Sequence, residues 1–530
     1  MNVHGQPAEP AFAALHGHER KSLLRFIACG SVDHGKSTLI GRLLYDSKQV
    51  FDDQLDALVA DSRKFGTQGD ALDFSLLLDG LAAEREQNIT IDVAYRFFAT
   101  ARRKFIVIDA PGHEEYTANM ATGASVADLA LVLVAVEEGL TRQTKRHLVI
   151  LSMLGVRHVV LAVNKMDRVG WSRDAFGAIE TAFRELAADL GFVDVACIPV
   201  AAKSGDNVTS RSEHLPWYGG PSLLDYLETV EPARTANLDP FRMPIQWVNR
   251  PDPDVRGYSG LITSGEVRVG MPVKIFPAGR VTRIARIVTF DGDLSHAAAG
   301  RSVTLTFTDP LDSSRGDIAA EAERPPAVTQ QIQARIFWMR DRPLERDQTY
   351  LFKLATSTAT ARVEAGLSMI DLDTRRAVAA DSIGPNEVGH CTLTFDRAIA
   401  LDRYEDCKDT GSFILIDPET FDTVAMGCVE EIAPLQRRRS WLSTWLPKRT
   451  GGVSGKLTRW TETHARSFVK AVSWRTTGSL DTFVVTFVIS GSTKLAGSVA
   501  LTEVLTKILI YYGHERIWAL VPWGKRQAAP

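Results

Sequence analysis

The stretch that most limits what this chain can fold into begins at Gly30. An apolar run, Phe26–Cys29, leads into Gly30-Ser31-Val32-Asp33-His34-Gly35-Lys36-Ser37-Thr38, and an amphipathic pattern of Leu39, Ile40, Leu43 and Leu44 follows. Strand, glycine loop and helix in that order suit a loop wrapped around a phosphate chain. The glycines let backbone N–H groups converge, Lys36 neutralises charge on the outer phosphates, and the Ser37 hydroxyl is placed to ligate Mg²⁺. Such a unit belongs to an α/β sheet with crossover helices.

Further elements fall in a matching order. The apolar run Phe105–Ile108 ends in Asp109-Ala110-Pro111-Gly112-His113, which puts a carboxylate at a strand tip for the metal and a glycine N–H within reach of a γ-phosphate. Upstream, Thr90 is the threonine expected to close over Mg²⁺, so Ser37, Thr90 and Asp109 form the expected metal set. Downstream, Val159–Val163 ends in Asn164-Lys165-Met166-Asp167. A carboxylate there can accept both N1–H and N2–H₂ of guanine, which adenine cannot supply, so GTP is the expected nucleotide. His113 stands where an attacking water would sit and is expected to orient it, with Lys36 and Thr90 as the other catalytic groups.

At 530 residues the chain is long enough for three or four domains, since single cores rarely exceed ~250 residues. Strand candidates alternate with helical patterns over 23–235; Leu129–Val136 and Ile198–Val200 complete the set. From Met243 the texture becomes strands separated by Gly, Asp and Pro turns, such as Pro272–Phe276, Arg283–Thr289 and Val303–Phe307. A second β-rich block follows from about Gln330, including Thr392–Phe395 and Phe413–Ile416, with Pro325-Pro326 between them. The expected organisation is a lead-in over 1–21, an α/β P-loop domain over 22–238, β-barrels over 239–325 and 326–435, a linker over 436–462 and a helical hairpin over 463–530. The lead-in shows no basic start followed by an apolar run, so it is not read as a secretion signal. Five scattered cysteines with no CxxC pair argue against a zinc site or a disulfide framework and for a reducing compartment.

Charge is unevenly spread. The net charge is −3, yet residues 436–475 carry +9 and the first 435 carry −14. An acidic front disfavours nucleic acid, whose phosphates reward clustered Lys and Arg.

Gly30–Ser37, Asp109–His113 and Asn164–Asp167, followed by two β-barrels, resemble the elongation factor Tu/1-alpha group. The resemblance is closer to the large, GTPase subunits of sulfate adenylyltransferase, over about 22–435. It rests on Leu39–Asp46, Gly66–Gly69, Leu78–Gln87, Ile89–Tyr95, His158–Asp167, Gly205–Val208, Pro216–Pro221, Ile245–Pro251 and Phe290–Leu294. It implies a partner, a smaller subunit that condenses ATP and sulfate into adenosine 5′-phosphosulfate and pyrophosphate while GTP hydrolysis drives the step. An aminoacyl-tRNA-binding translation factor is the alternative. Several positions depart from the family pattern: His34 stands for an aspartate, Asn88 for a glycine and Val136 for an aspartate. Ala201-Ala202-Lys203 lacks the serine of the guanine-backing loop, but its backbone N–H groups are still expected to reach guanine O6. Gly451–Lys456 has one residue too few for a second phosphate loop, with Leu457 where Ser or Thr is needed.

After the basic linker, with Trp441, Trp445, Trp460 and Trp474, come two apolar stretches, Thr476–Ser492 and Leu495–Gly513. Each is just long enough to cross a ~30 Å hydrocarbon core. Basic residues at both outer ends favour a hairpin with its ends in the cytoplasm, tethering the protein to the inner membrane. The segment also resembles a small two-helix membrane domain. A buried soluble hairpin is the alternative, because Asp481, Glu503 and Lys507 lie within the spans.

Overall fold

The computed structural model describes residues 21–48, 52–65, 72–77, 84, 90–232, 239–252, 255–309, 311–364 and 366–435. Asn88, most of the Gly66–Gly69 and Leu78–Gln87 strings, the basic linker and the two apolar spans lie outside these residues.

The N-terminal α/β part is built on a six-stranded sheet. Its strands are β1 (Ser22–Gly30), β2 (Ala94–Ala99), β3 (Arg103–Asp109), β4 (Leu129–Ala135), β5 (His158–Asn164) and β6 (Asp194–Pro199). They lie in the order β2-β3-β1-β4-β5-β6, parallel except for the antiparallel edge strand β2. Every residue of β4, Leu-Ala-Leu-Val-Leu-Val-Ala, is buried, as a central parallel strand covered on both faces requires. On one face, Leu24, Phe26 and Ala28 pack with Leu39, Ile40 and Leu43 of helix α1 (Lys36–Asp46). On the other, Ile27 and Ile108 pack with Met120, Leu148 and Leu151. The Phe98 and Phe105 rings stack 4.5 Å apart, and Phe26 meets both edge-on. Such pairs add about 0.5–1.5 kcal/mol each beyond the area they bury.

Four strand readings, at β1, β3, β4 and β5, fall on observed strands within four residues at each end, and Ile198–Val200 overlaps the end of β6. β2 was not read from the sequence. Its exposed Tyr95 and Phe97 and the charge at Arg96 obscure the alternation, and only pairing with β3 makes it a strand.

Two β-barrel domains follow. In the first, antiparallel strands close on Phe241, Met243, Tyr258, Ile275, Ile287 and Leu305. In the second, the long strand Ala327–Trp338 pairs with both Val388–Leu401 and Thr423–Ile432, so that six strands complete a ring. A buried ion pair ties the barrels together. Arg242 donates from Nε and Nη2 to the Asp402 carboxylate at 2.8 and 2.9 Å, and Thr410 donates to the same carboxylate at 2.7 Å. All five cysteines are free and buried. Among the described residues, no helix is long and apolar enough to cross a membrane.

Candidate nucleotide site

The site forms at the C-terminal ends of β1, β3 and β5, where their connecting loops converge. β1 ends at Gly30, whose φ of +144° and approach to Leu133 leave no room for a side chain: a Cβ there would sit 2.4 Å from the Leu133 carbonyl oxygen. The loop turns again at Asp33 (φ +63°) and at Gly35 (φ +85°), which caps α1. Helix α1 therefore begins at Lys36 with its N–H groups and positive dipole end at the loop, as anion binding requires. Ser37 and Thr38 are half-buried in its first turn. Lys36 is buried, and its Nζ donates to the Gly30 and Ser31 carbonyls at 3.0 and 2.7 Å. Burial lowers its pKa, an effect partly offset by the nearby Asp109 carboxylate.

The Asp109–Gly112 turn lies against this loop. A Cβ on Gly112 would come within 2.4 Å of Lys36 Nζ and 2.7 Å of the Gly30 oxygen, so only glycine fits. Asp109, at the tip of β3, is 1% exposed, and Ala110 and Pro111 are buried beside it. His113 is exposed, and its Nδ1 accepts the Glu115 N–H at 3.3 Å. Thr90 is half-buried. The residue after it, Ile91, is pinned on both sides: Glu84 accepts its N–H at 3.0 Å, and Asn119 donates to its carbonyl at 2.9 Å.

At the opposite end, Asn164 joins two loops. Its Nδ2 donates to the His34 carbonyl at 2.9 Å, and its Oδ1 accepts the Ala202 N–H at 2.9 Å. Lys165 adopts φ +64° and opens the short turn Met166–Val169, on which Asp167 is exposed. Ala201 and Ala202 are fully buried and Lys203 is exposed. The Ala201 N–H is already committed to the Asp206 carbonyl at 3.1 Å, which narrows the expectation that the whole loop offers its N–H groups to a base.

His34 sits differently from what its place in the loop suggests. Its ring is fully buried, with Nδ1 3.0 Å from the Leu133 carbonyl and Nε2 3.1 Å from Glu138. Only its backbone is left for the phosphates. The departure at Val136 is also structural: its side chain is buried and its N–H donates to the Asn164 carbonyl at 3.0 Å.

Sequence reading missed the helix that supports this site, Arg142–Met153. Its N-cap residue, Thr141, accepts the Thr144 N–H and lies 2.5 Å from the Ser31 hydroxyl in the phosphate loop. Gln143 donates to Thr117 at 3.1 Å, and Thr117 donates to the Glu114 carbonyl at 2.6 Å. Arg146 bonds Gln143 Oε1 at 2.7 Å and the Glu114 carboxylate at 2.8 Å. Asn386, in the second barrel, donates to the same Glu114 carbonyl at 3.0 Å. A threonine ahead of an amphipathic run was a legible cap signal. Nothing in the sequence pointed from Glu114 to Asn386.

Glycine-enforced close contact, a buried lysine and a buried strand-tip carboxylate together fit a nucleotide triphosphate with its metal. Among the described residues, no three His, Cys, Asp or Glu side chains cluster to hold a metal by themselves. One carboxylate and hydroxyls suit Mg²⁺, which takes its remaining ligands from phosphate and water.

Comparison with known proteins agrees with this geometry. A sequence-family model described as "Elongation factor Tu GTP binding domain" matches residues 21–233, and one described as "GTP-eEF1A C-terminal domain-like" matches 331–430. "Sulfate adenylyltransferase subunit 1" of Methylorubrum extorquens is 51% identical over 87% of this chain and 99% of its own length. The chain belongs to the sulfate adenylyltransferase subunit 1 family. The Aeromonas hydrophila member is 49% identical over 81% of this chain and 91% of its own. "Bifunctional enzyme NodQ" of Rhizobium sp. is 49% identical over 82% of this chain and 67% of its own. Residues 468–519 match a family described as "Predicted membrane protein (DUF2061)", so in this chain the subunit 1 body is followed by a segment of that kind.

Proposed function

We propose that this chain is the GTP-hydrolysing subunit of a sulfate adenylyltransferase. A second subunit would carry the reaction of ATP with sulfate to adenosine 5′-phosphosulfate and pyrophosphate. Forming that mixed anhydride is strongly uphill, and GTP hydrolysis here supplies the drive. The observation that carries the nucleotide reading is the contact of Gly112 with Lys36 and Gly30, which brings the metal-carboxylate turn onto the phosphate loop. Kinship at about half identity along nearly the whole length of the relatives supports the sulfate reading over a translation factor.

In this reading the N–H groups of Gly30–Thr38 cradle the phosphates, Lys36 turns from the loop carbonyls to the β/γ oxygens, and Asp167 reads guanine. Ser37, Thr90 and Asp109 would hold Mg²⁺, which neutralises charge on the β- and γ-phosphates. His113 accepts the Glu115 N–H on Nδ1, so a neutral ring carries its proton on Nε2. That nitrogen donates, and the ring orients the attacking water rather than deprotonating it.

The chain is co-purified and assayed with its second subunit, ATP, sulfate and GTP. Adenosine 5′-phosphosulfate should form in proportion to GTP hydrolysed, and Lys36→Ala should abolish both. Recovery with charged tRNA and without an adenylyltransferase subunit overturns the reading.

The C-terminal segment, in our reading, anchors this enzyme to the cytoplasmic face of the inner membrane. The support is the +9 stretch over 436–475, the two apolar spans and the match at 468–519. Each Lys or Arg near anionic headgroups contributes about 1 kcal/mol, and spanning segments make attachment resistant to salt. Membranes washed with high salt and carbonate should retain the full-length chain until detergent is added. Release by carbonate alone would sink the anchor.

A further inference from the structure

Two segments that mark the family, Gly205–Val208 and Pro216–Pro221, contain no phosphate, metal or base ligand of the proposed site. The structure shows what they touch. Asp206 follows the Ala201–Lys203 loop, and its carboxylate gathers three side-chain donors. Ser204 donates to it at 2.5 Å, Ser212 at 2.6 Å, and His214 Nδ1 lies at 2.9 Å. Burial alone would push this carboxyl up; the three donors outweigh it and hold its pKa below the ordinary range. The Asp206 backbone pins the same loop, accepting the Ala201 N–H at 3.1 Å, while Gly205 donates to the Ala201 carbonyl at 2.8 Å. Below it, Asn207 is buried and donates to the Pro199 carbonyl at the end of β6.

From Asp206 the chain reaches across to the other loop. The His214 ring stacks on Trp171 with centroids 5.0 Å apart and planes 14° from parallel. Trp171 closes the turn that carries Asp167: its N–H donates to the Met166 carbonyl at 3.0 Å. The Trp217 indole N–H then donates to the Trp171 carbonyl at 2.9 Å, and its ring packs on Phe176. Two contacts, one stacked and one hydrogen-bonded, thus hold the Met166–Trp171 turn to the segment that leaves the Ala201–Asp206 loop.

We propose that Asp206, His214 and Trp171 form a clasp that fixes the spacing between the two base-reading loops, making them positioning residues for guanine recognition. The proposal rests on the GTP reading of the site. A base is gripped between Asp167 on one loop and the Lys203 backbone on the other, since Asn164 and Asp206 already take the Ala202 and Ala201 N–H groups, so selectivity depends on the separation of the loops as well as their chemistry. His214 is largely exposed, with its side chain 62% accessible, so its replacement leaves the core intact.

The test measures equilibrium binding of fluorescent GTP, GDP and inosine triphosphate to the full-length chain, beside steady-state GTP hydrolysis. Loss of one stack and one charge-assisted hydrogen bond in His214→Ala should raise Kd for GTP and GDP alike by ~5–20-fold. Saturated hydrolysis should keep its rate. Preference for GTP over inosine triphosphate, which lacks the N2 amino group, should shrink, because Asp167 no longer stands in register. His214→Phe keeps the stack and should recover part of both effects. Unchanged affinity and unchanged base preference in His214→Ala overturn the clasp. So does weakened binding with full base preference and a lowered melting temperature, which marks a structural role only. Failure of the unaltered chain to bind GTP at all overturns the GTPase reading instead, and the two failures are distinct.

Discussion

At the base end of the nucleotide site, the loops are tied by groups of the α/β domain itself: Asn164 bridges His34 and Ala202, and His214 bridges Asp206 and Trp171. At the γ-phosphate end, the turn after His113 is held from two directions. One is the helix Arg142–Met153, through Gln143 and Arg146; the other is the second barrel, through Asn386. Lys145, on that same helix, also pairs with Asp373 of the second barrel at 2.6 Å. In the proposed reading, the base end is therefore held, among the described residues, without contacts from the barrels. The end that faces the γ-phosphate, in the same reading, is tied to the second barrel through Asn386 and Lys145.

Substitutions should separate the two ends. The largest effects belong to ligands. Lys36→Ala should weaken GTP binding by at least about a hundredfold, since it removes charge-assisted bonds to phosphate. Asp167→Asn should weaken GTP but admit xanthosine triphosphate, whose C2 oxygen can accept a bond from the new amide. Competition binding with both nucleotides reads this directly; equal loss of both would mean Asp167 does not read the base. Next, His113→Ala should leave GTP affinity in place and slow hydrolysis by about a hundredfold. Single-turnover hydrolysis in the presence of the second subunit at the parent rate would remove His113 from catalysis.

The phosphate end also carries a pH liability. His147 is fully buried beside Gln143, and burial, with the Lys36, Arg146 and His34 charges adding, pushes its pKa from 6.5 down to about 3. The unfolded chain takes up this proton near pH 6.5 while the folded one does not until about 3. Stability is fully present above 6.5 and falls as the pH drops through that window, by about 1.4 kcal/mol per pH unit. Urea unfolding of His147→Gln should show a shallower pH dependence between pH 6.5 and 5; an identical slope would mean the histidine is not held neutral. The smallest effect is expected at Asn386→Ala. Losing one exposed hydrogen bond worth about 1 kcal/mol should slow hydrolysis by ~5-fold with GTP affinity unchanged. If hydrolysis is unaltered while Gln143→Ala slows it, the helix alone holds the turn and the barrel is not coupled to it.

Much of the site was legible because phosphate and metal chemistry demands particular residue types at short spacing. Gly30–Ser37 and Asp109–Gly112 each lie on one strand-to-loop junction, so a strand pattern and a glycine suffice to place them. His34 was the exception within the loop. Its sequence position marks it as a phosphate-loop residue, but its ring turns inward because the Leu133 carbonyl and Glu138, about a hundred residues away, offer it partners. The edge strand β2 was hidden for the opposite reason: Tyr95 and Phe97 face solvent, Phe98 is its one buried side chain, and its backbone pairing with β3 carries no mark in the sequence.

Alone, the sequence determined the α/β domain with its phosphate loop, the change to β texture after Met243 and the kinship, and it named the candidate nucleotide ligands. Each follows from local geometry, from the period of apolar residues or from long literal strings. Tertiary structure decided how the site is supported: Thr141 under Ser31, Arg146 and Asn386 around Glu114, and His214 against Trp171. These contacts join residues from 32 to 272 positions apart in forms that any polar or aromatic side chain could adopt on a surface. Hydrogen bonds and ring stacks carry no periodicity of their own, so only the folded arrangement of strands and barrels says which of them are made.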